Sequence, residues 1–95
     1  MYCRMVIGEA ISEDQLRELR KIFKEEIMPE MKDQPGFQRG DLIIEDGGNM
    51  AVLTTVWDTR DNCLRHHCSR TYRQFVAKTQ HLLLGNFVVK LFQMQ

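Results

Sequence analysis

A β-hairpin pattern in the middle of the chain restricts the fold more than any other feature of the sequence. Residues 37–45 and 50–57 are rich in apolar and β-branched side chains, as β-strands are. The sequence between them, DGGN at residues 46–49, tolerates the positive φ angles of a tight turn. The two segments are therefore predicted to be neighbouring antiparallel strands.

One further strand is predicted near each end of the chain, and a helix follows the first of them. Residues 2–9 form the first strand and residues 87–93 the last, since both are apolar and loosely alternating. A capping box, SEDQ at residues 12–15, opens the first helix, which carries one apolar stripe. This helix is expected to end or kink near Met28, because Pro29 lacks an amide N–H.

The segment after the hairpin is predicted to be helical in two parts. A short helix covers residues 60–67. Ser69 caps a longer helix that extends to Leu84, where Gly85 suits the left-handed residue that ends many helices.

The element order is therefore β-α-β-β-α-β, and residues 1–95 are expected to form a single domain. Right-handed crossovers in this order give an α+β, ferredoxin-like sandwich with both helices on one face of the sheet.

Both faces of the third strand are apolar, and two helices can cover only one of them. Alternate side chains of a strand point to opposite faces of the sheet. One face carries Ala51, Leu53, Thr55 and Trp57, and the other carries Met50, Val52, Thr54 and Val56. Monomers rarely expose a large apolar patch. A homodimer is therefore predicted, in which two sheets pack face to face.

Composition and charge argue against several classes of protein. Lys plus Arg and Asp plus Glu both number 13, so the formal net charge is zero, unlike that of a nucleic-acid binder. No apolar run approaches the roughly 20 residues that span a bilayer, so no membrane role is expected. The three cysteines cannot all pair with one another, and reduced thiols indicate a cytoplasmic protein.

Several residues at characteristic spacing resemble a known family. They are Pro35-Gly36-Phe37 after the first helix, Trp57-Asp58-Thr59 at the end of the third strand, then His66, Ser69 and Tyr72, and finally Leu84-Gly85. Over nearly the whole chain, this pattern resembles the antibiotic-biosynthesis-monooxygenase-like family of the dimeric α/β barrel superfamily. The resemblance implies a dimeric α/β barrel with a pocket between sheet and helices in each subunit. It also implies oxidation of aromatic polyketides or quinols by O₂ without metal or flavin.

Haem degradation is the activity of another branch of the family that this sequence resembles, and it is disfavoured here. That branch needs an Asn at the end of the first strand, a Trp in a helix and an axial His in the last helix. Residues 2–9 contain no Asn, the position of the helical Trp is His66, and the axial position falls near Val76.

The candidate catalytic and substrate-binding site consists of four residues. His66 is the candidate catalytic residue, because an imidazole that titrates near neutral pH can take a proton from a phenol or quinol. Trp57 could stack on an aromatic substrate, Tyr72 could hydrogen-bond a substrate oxygen, and Arg4 could bind an anionic group. Each has a structural alternative: a His that holds the bend between two helices, a Trp and a Tyr in the core, and an Arg at the sheet edge or dimer rim.

No metal and no other cofactor is expected. Cys63 and His67 are four residues apart on a helix, but no set of four ligands is complete, and Cys63 is expected to be an inert buried thiol. Gly47 and Gly48 lie in the hairpin turn rather than in a phosphate-binding loop that opens a helix.

Two functions remain open on these grounds. The first is a cofactor-independent, monooxygenase-like enzyme that acts on a small aromatic phenol or quinol. The second is a non-catalytic dimeric module that binds a small hydrophobic metabolite or serves in assembly or stress response. A cavity of roughly 300 Å³ or more that opens onto His66 favours an enzyme or a binder, whereas a filled core favours a structural module.

Overall fold

The computed structural model describes residues 1–95 and contains one sheet with helices packed on one of its faces. The strands are β1 (Tyr2–Glu9), β2 (Phe37–Ile44), β3 (Met50–Trp57) and β4 (Val88–Gln93). The helices are α1 (Glu13–Ile22), a π-helical turn (Phe23–Ile27), α2 (Met28–Met31), α3 (Arg60–His67), α4 (Arg70–Thr79) and a 3₁₀ turn (Gln80–Leu82). None of these helices is both long enough and apolar enough to cross a membrane.

The sheet has the strand order β2-β3-β1-β4, and every neighbouring pair of strands is antiparallel. One helical segment connects β1 to β2, and the other connects β3 to β4. The predicted ferredoxin-like α+β sandwich is thereby confirmed. The DGGN turn joins β2 to β3 as predicted, and Gly47 in this turn has a φ of 76°.

The first helical segment does not end at Met28 but continues to Met31 through a widened turn. The Met28 N–H donates to the carbonyl of Phe23, five residues earlier, rather than to the usual fourth residue. Pro29 has no N–H, and in a regular α-helix its ring would clash with the carbonyl four residues before it. We attribute the π-helical turn to this conflict, which the chain accommodates without ending the helix.

The last helix is shorter than the sequence predicted and does not reach Leu84. α4 gives way to a 3₁₀ turn, after which Leu83 is extended, with φ −109° and ψ 149°. Leu83 forms an isolated antiparallel bridge with Ala10, and the Leu84 N–H donates to the Glu9 carbonyl at 2.7 Å. These backbone bonds replace a final helical turn and direct the chain into β4.

The hydrophobic core lies between the helices and one face of the sheet. Ala51 and Trp57 of β3 are buried in it, and Leu53 packs against it, as the alternation of β3 predicts. No helix covers the opposite face. The most exposed apolar side chains on that face are Ile43 at 55%, Val88 at 49% and Phe92 at 45%.

Gly36 lies in the loop before β2 and contacts the residues that follow β3. Its φ is +79°, and its carbonyl accepts a hydrogen bond of 2.9 Å from the Asp58 N–H. A Cβ atom on Gly36 would collide with the side chains of Asp58 and Asn62. Gly47 has nearly the same φ, 76°, but nothing lies within 4 Å of the position of its Cβ.

Gly36→Ala should therefore reduce stability more than Gly47→Ala does. Both changes place a side chain in the left-handed region, at a cost of about 1–2 kcal/mol. Only the change at Gly36 adds a steric collision, which costs about 1–3 kcal/mol more. Urea denaturation of both variants measures the difference. Equal losses would show that the loop does not pack against Asp58 and Asn62 as described.

Candidate active site

The four candidate residues meet near one end of the sheet, on the side that the helices cover. Arg4 comes from β1, Trp57 ends β3, His66 belongs to α3 and Tyr72 to α4. Arg4 pairs with Thr55, two residues before Trp57, so Arg4 and Trp57 share the helix-covered face. Segments that are distant in the sequence thus form one cluster.

Arg4 is the centre of the cluster, with 1% of its surface exposed. Its Nη1 lies 3.1 Å from Nδ1 of His66. The guanidinium carbon is 4.5 Å from the ring centre of Tyr72 and 5.8 Å from that of Trp57. At these distances a cation is attracted to the face of an aromatic ring. The Nε of Arg4 has no hydrogen-bond partner.

His66 is buried, with 3% of its surface exposed, and stacks on Trp57 with 5.1 Å between the ring centres. An arginine can only donate, so Nδ1 of His66 accepts from Arg4 and the proton of the neutral ring resides on Nε2. Burial, then the positive charge of Arg4, and then the charge that His67 carries once it is protonated in acid, lower the pKa of His66 to about 4. The imidazole is therefore neutral at pH 7.

The junction between α3 and α4 fixes the positions of two of these rings. The Ser69 hydroxyl accepts from the Tyr72 N–H at 3.1 Å and donates to the His66 carbonyl at 2.6 Å. The first of these bonds is a typical N-cap bond, in which the side chain accepts from a backbone N–H of the first helical turn that has no partner within the helix. Tyr72 then lies edge-on to His66, with 5.9 Å between the ring centres. The predicted cap at Ser69 thus holds both candidate residues in place.

Trp57 is fully buried, and its only polar atom has a partner. Nε1 donates to Oγ1 of Thr55 at 3.0 Å, and the indole packs edge-on against Phe37 with 5.6 Å between the ring centres. Trp57 is part of the hydrophobic core. In the structure, its indole stacks on the ring of His66 and so helps to fix the position of that ring.

An apolar cavity of about 70 Å³ lies between the sheet and the helices. Arg4 is the only charged residue in its lining, and Tyr72 also lines it, whereas His66 and Trp57 do not. The volume is below the roughly 300–1,000 Å³ of typical small-molecule sites. A drug-sized ligand therefore requires the walls to move apart.

Most of the cavity wall was not predicted as part of a site. Val6, Leu42 and Leu53 line it from the sheet. Val6 is two residues after Arg4 on β1 and so shares its face, and across the strands Leu53 is paired with Val6 and Leu42 with Leu53. The alternation of the strands was the signal that could have found them. Phe23 and Ile27 line it from the π-helical turn, and both belong to the apolar stripe predicted for the first helix, which indicated a buried face rather than the wall of a site.

The cluster of cysteine and histidine residues on α3 does not form a metal site. No three His, Cys, Asp or Glu side chains come together in a way that could hold a metal ion. Cys63 is buried, as predicted, and burial raises the pKa of its thiol, while Cys68 is exposed. The expectation that activity needs no added cofactor stays a prediction.

One family shares the sequence pattern of this chain across the whole cluster. The sequence model of the antibiotic biosynthesis monooxygenase family matches residues 4–78, which include Arg4, Trp57, His66 and Tyr72. The chain belongs to this family. The resemblance inferred from the sequence is thereby confirmed. The sequence matches no curated protein.

Solved structures with the fold of this family superpose on nearly the whole chain. The monooxygenase ActVA-Orf6 from Streptomyces coelicolor, in complex with nanaomycin D, is 11% identical, with a TM-score of 0.87 over 99% of this chain and 87% of its own. SnoaB, a cofactor-independent oxygenase from Streptomyces nogalater, is 19% identical, with a TM-score of 0.83 over 99% of this chain and 92% of its own. Rv0793 from Mycobacterium tuberculosis is 20% identical, with a TM-score of 0.77 over 100% and 96%. At these identities the likeness establishes the fold and leaves the substrate to be argued from the site.

Proposed function

We propose that this family member is a cofactor-independent monooxygenase that oxidises a small aromatic phenol or quinol in the cavity between sheet and helices. The observation that carries the proposal is the cavity wall, which is largely apolar and has Arg4 as its only charged residue. Such a wall suits an aromatic body with one acidic oxygen. The cofactor-independent oxygenase SnoaB, which shares the fold, supports the choice of chemistry.

The proposed reaction needs no reductant other than its substrate. A phenol with a hydrogen para to its hydroxyl reacts with O₂ to give a quinone and water. One oxygen atom enters the ring, and the other leaves as water with the two hydrogens that the phenol loses. All four electrons come from the phenol, and its anion donates them more readily than the neutral molecule. The site therefore has to favour the phenolate and exclude bulk water.

Arg4 and Tyr72 are the residues proposed to favour the phenolate. The charge of Arg4 lies in an apolar wall, where electrostatic attraction is stronger than in water. The Tyr72 hydroxyl has no partner within the protein, and burial raises the pKa of Tyr72, so the hydroxyl remains a donor. Trp57 contributes indirectly in this proposal, through its stack on His66.

The role of His66 as general base stays a prediction. Its Nδ1 is engaged by Arg4, and its ring is absent from the cavity lining. To act as a base, His66 would have to release Arg4 and turn toward the cavity. Because the pKa of His66 is about 4, its ring remains unprotonated and able to take a proton well below pH 6.5. If His66 is the base, the rate should therefore not fall between pH 7 and pH 5. Without such a movement, His66 acts through Arg4, which it orients.

Oxygen uptake with a panel of phenols and quinols tests the proposal. Tyr72→Phe removes one hydroxyl and should lower kcat/KM by about tenfold, the usual worth of one hydrogen bond. Tyr2→Phe is the matched change at the only other tyrosine, which does not line the cavity, and should leave the rate unchanged. Absence of oxygen uptake by the wild-type protein across the whole panel would contradict the proposed activity.

The small cavity volume favours a second candidate, a non-catalytic dimeric module. A cavity of about 70 Å³ holds only a few waters unless its walls move. Absence of oxygen uptake would favour this candidate over the enzyme, and failure to bind any hydrophobic metabolite as well would favour a role in assembly or stress response.

The protein is also proposed to act as a homodimer through the sheet face that no helix covers. The central strands β1 and β3 carry Ile7 and Val52 there, which pair directly with each other. Charged residues of this face lie at its periphery: Asp41 and Lys90 are on the edge strands β2 and β4, and Glu9 is the last residue of β1. An apolar centre with a polar rim is the usual anatomy of a protein interface.

A further inference from the structure

Arg4 is a buried cation without a carboxylate partner. It is 1% exposed, and none of the ion pairs within the protein includes it. The cavity that it lines contains no Asp or Glu. A charge removed from water has a large unfavourable free energy unless an opposite charge and hydrogen bonds compensate for it.

The ionisable neighbours of Arg4 do not supply that opposite charge. Burial raises the pKa of the Tyr72 hydroxyl and of the Cys63 thiol, so both groups are neutral at pH 7. Burial and the charge of Arg4 lower the pKa of His66 and of His67, so both rings are neutral as well. The cluster therefore keeps a net positive charge, which the faces of the aromatic rings offset only in part.

Two buried polar groups beside the cavity have no hydrogen-bond partner, the Nε of Arg4 and the hydroxyl of Tyr72. Both residues line the cavity, and the guanidinium lies 4.5 Å from the centre of the tyrosine ring. One anionic oxygen is the acceptor that satisfies such donors best, because charge-assisted hydrogen bonds are the stronger ones. The rest of the wall is largely apolar and suits a hydrocarbon ring.

We infer that the cavity selects a small aromatic anion, whose negative oxygen is held by Arg4 and Tyr72, over a neutral molecule of the same shape. This inference rests on the proposed function, since it assigns a charge to the molecule that the same cavity takes. A carboxylate and a phenolate both offer a negatively charged oxygen on an aromatic ring. The probes described next distinguish between the two.

Two pairs of probes test the selection under argon, where no oxygenation takes place. Benzoate and benzamide have the same shape and differ in charge, so they report on a carboxylate. Para-nitrophenol ionises near neutral pH with a change of colour, so its spectrum reports whether the bound form is the phenolate. Binding is followed by the fluorescence of Trp57, the only tryptophan of the chain, whose ring centre is 5.8 Å from the guanidinium carbon of Arg4.

The wild-type protein should bind at least one anion, benzoate or para-nitrophenolate, about 10- to 100-fold more tightly than its neutral counterpart. Arg4→Met should abolish this preference. Arg4→Lys keeps the charge but loses the Nε donor, and should retain a smaller preference. Tyr72→Phe should weaken anion binding by about three- to tenfold. Arg70→Met, at an exposed arginine of α4, is the matched control and should bind as the wild type does.

Equal affinity for the charged and the neutral probes would overturn the inference, as would failure of the wild-type protein to bind any of them. If Arg4→Met does not fold, retention of the full preference by both Arg4→Lys and Tyr72→Phe would also overturn it. Anion selection without oxygen uptake would support the inference while contradicting the proposed monooxygenase. Oxygen uptake with neutral quinols and no anion selection would support the enzyme and overturn the inference.

Discussion

Lowering the pH from 7 to 4 should cost the folded protein about 3 kcal/mol of stability through His66 alone. The pKa of His66 is about 4 in the folded protein and about 6.5 in the unfolded chain. Between these values the unfolded state binds a proton that the folded state does not, so acid favours unfolding. The loss begins below pH 6.5 and is complete below pH 4. The pKa of His67 is lowered too, which adds a loss of the same sign.

Urea denaturation of the wild type and of His66→Gln across this pH range isolates the contribution. Glutamine does not titrate, and its amide oxygen can accept the hydrogen bond from Arg4. The carboxylates contribute equally to both proteins, so the difference between the two pH profiles belongs to His66. His81→Gln, at an exposed histidine, should keep the wild-type profile. Identical profiles for the wild type and His66→Gln would show that burial and the charge of Arg4 do not hold the imidazole neutral.

Val52→Lys should convert the protein from a dimer to a monomer. Val52 lies at the centre of the sheet face without helices, between Ile7 on β1 and Ile43 on β2. In the proposed dimer a lysine at this position brings two buried charges without partners into the interface. We expect the dissociation constant to rise at least ~100-fold. Analytical ultracentrifugation at micromolar concentration measures the change.

Two further variants separate loss of the interface from loss of the fold. Gln74→Lys adds the same charge on the exposed surface of α4 and should leave the dimer intact. Val56 is on the same sheet face as Val52 but is already 6% exposed within one chain, so Val56→Lys should reduce the stability of the chain itself. A wild-type protein that is monomeric at micromolar concentration would contradict the proposed dimer.

The fold could be predicted because its signals are local in the sequence. The DGGN turn and the cap at Ser69 each fix one junction between neighbouring elements. The first helix begins after Ser12 as predicted, but the reciprocal bonds of a capping box are absent, because the Ser12 hydroxyl donates to the side chain of Gln15 and caps no backbone N–H. Helix ends were predicted less well, since contacts from elsewhere decide them. The bridge between Leu83 and Ala10 shortens the last helix, and Ala10 lies 73 positions earlier in the chain.

The membership of the candidate cluster could be predicted, but its chemistry could not. Residue types and spacing pointed to Arg4, Trp57, His66 and Tyr72, and these four side chains lie together. The hydrogen bond between Arg4 and His66 spans 62 positions, and no local pattern encodes it. This bond decides which nitrogen of His66 carries the proton, and burial together with the charge of Arg4 lowers the pKa of the ring. The sequence alone therefore suggested a side chain that titrates near neutral pH. In the structure, the pKa of His66 is about 4, so its ring is uncharged at pH 7.

The π-helical turn makes the cavity sensitive to chain length as well as to side-chain identity. Each residue of an α-helix turns the following side chains by about 100°. Removal of one residue from Phe23–Ile27 would either rotate Met31, which also lines the cavity, by about 100° relative to α1 or tighten the turn and bring the ring of Pro29 against the carbonyl four residues before it. A single-codon deletion at this turn would thus remodel one wall in one step, which point substitutions could reach only by several changes. Family members that differ by one residue between Ser12 and Pro29 are expected to differ in the shape of molecule that they accept.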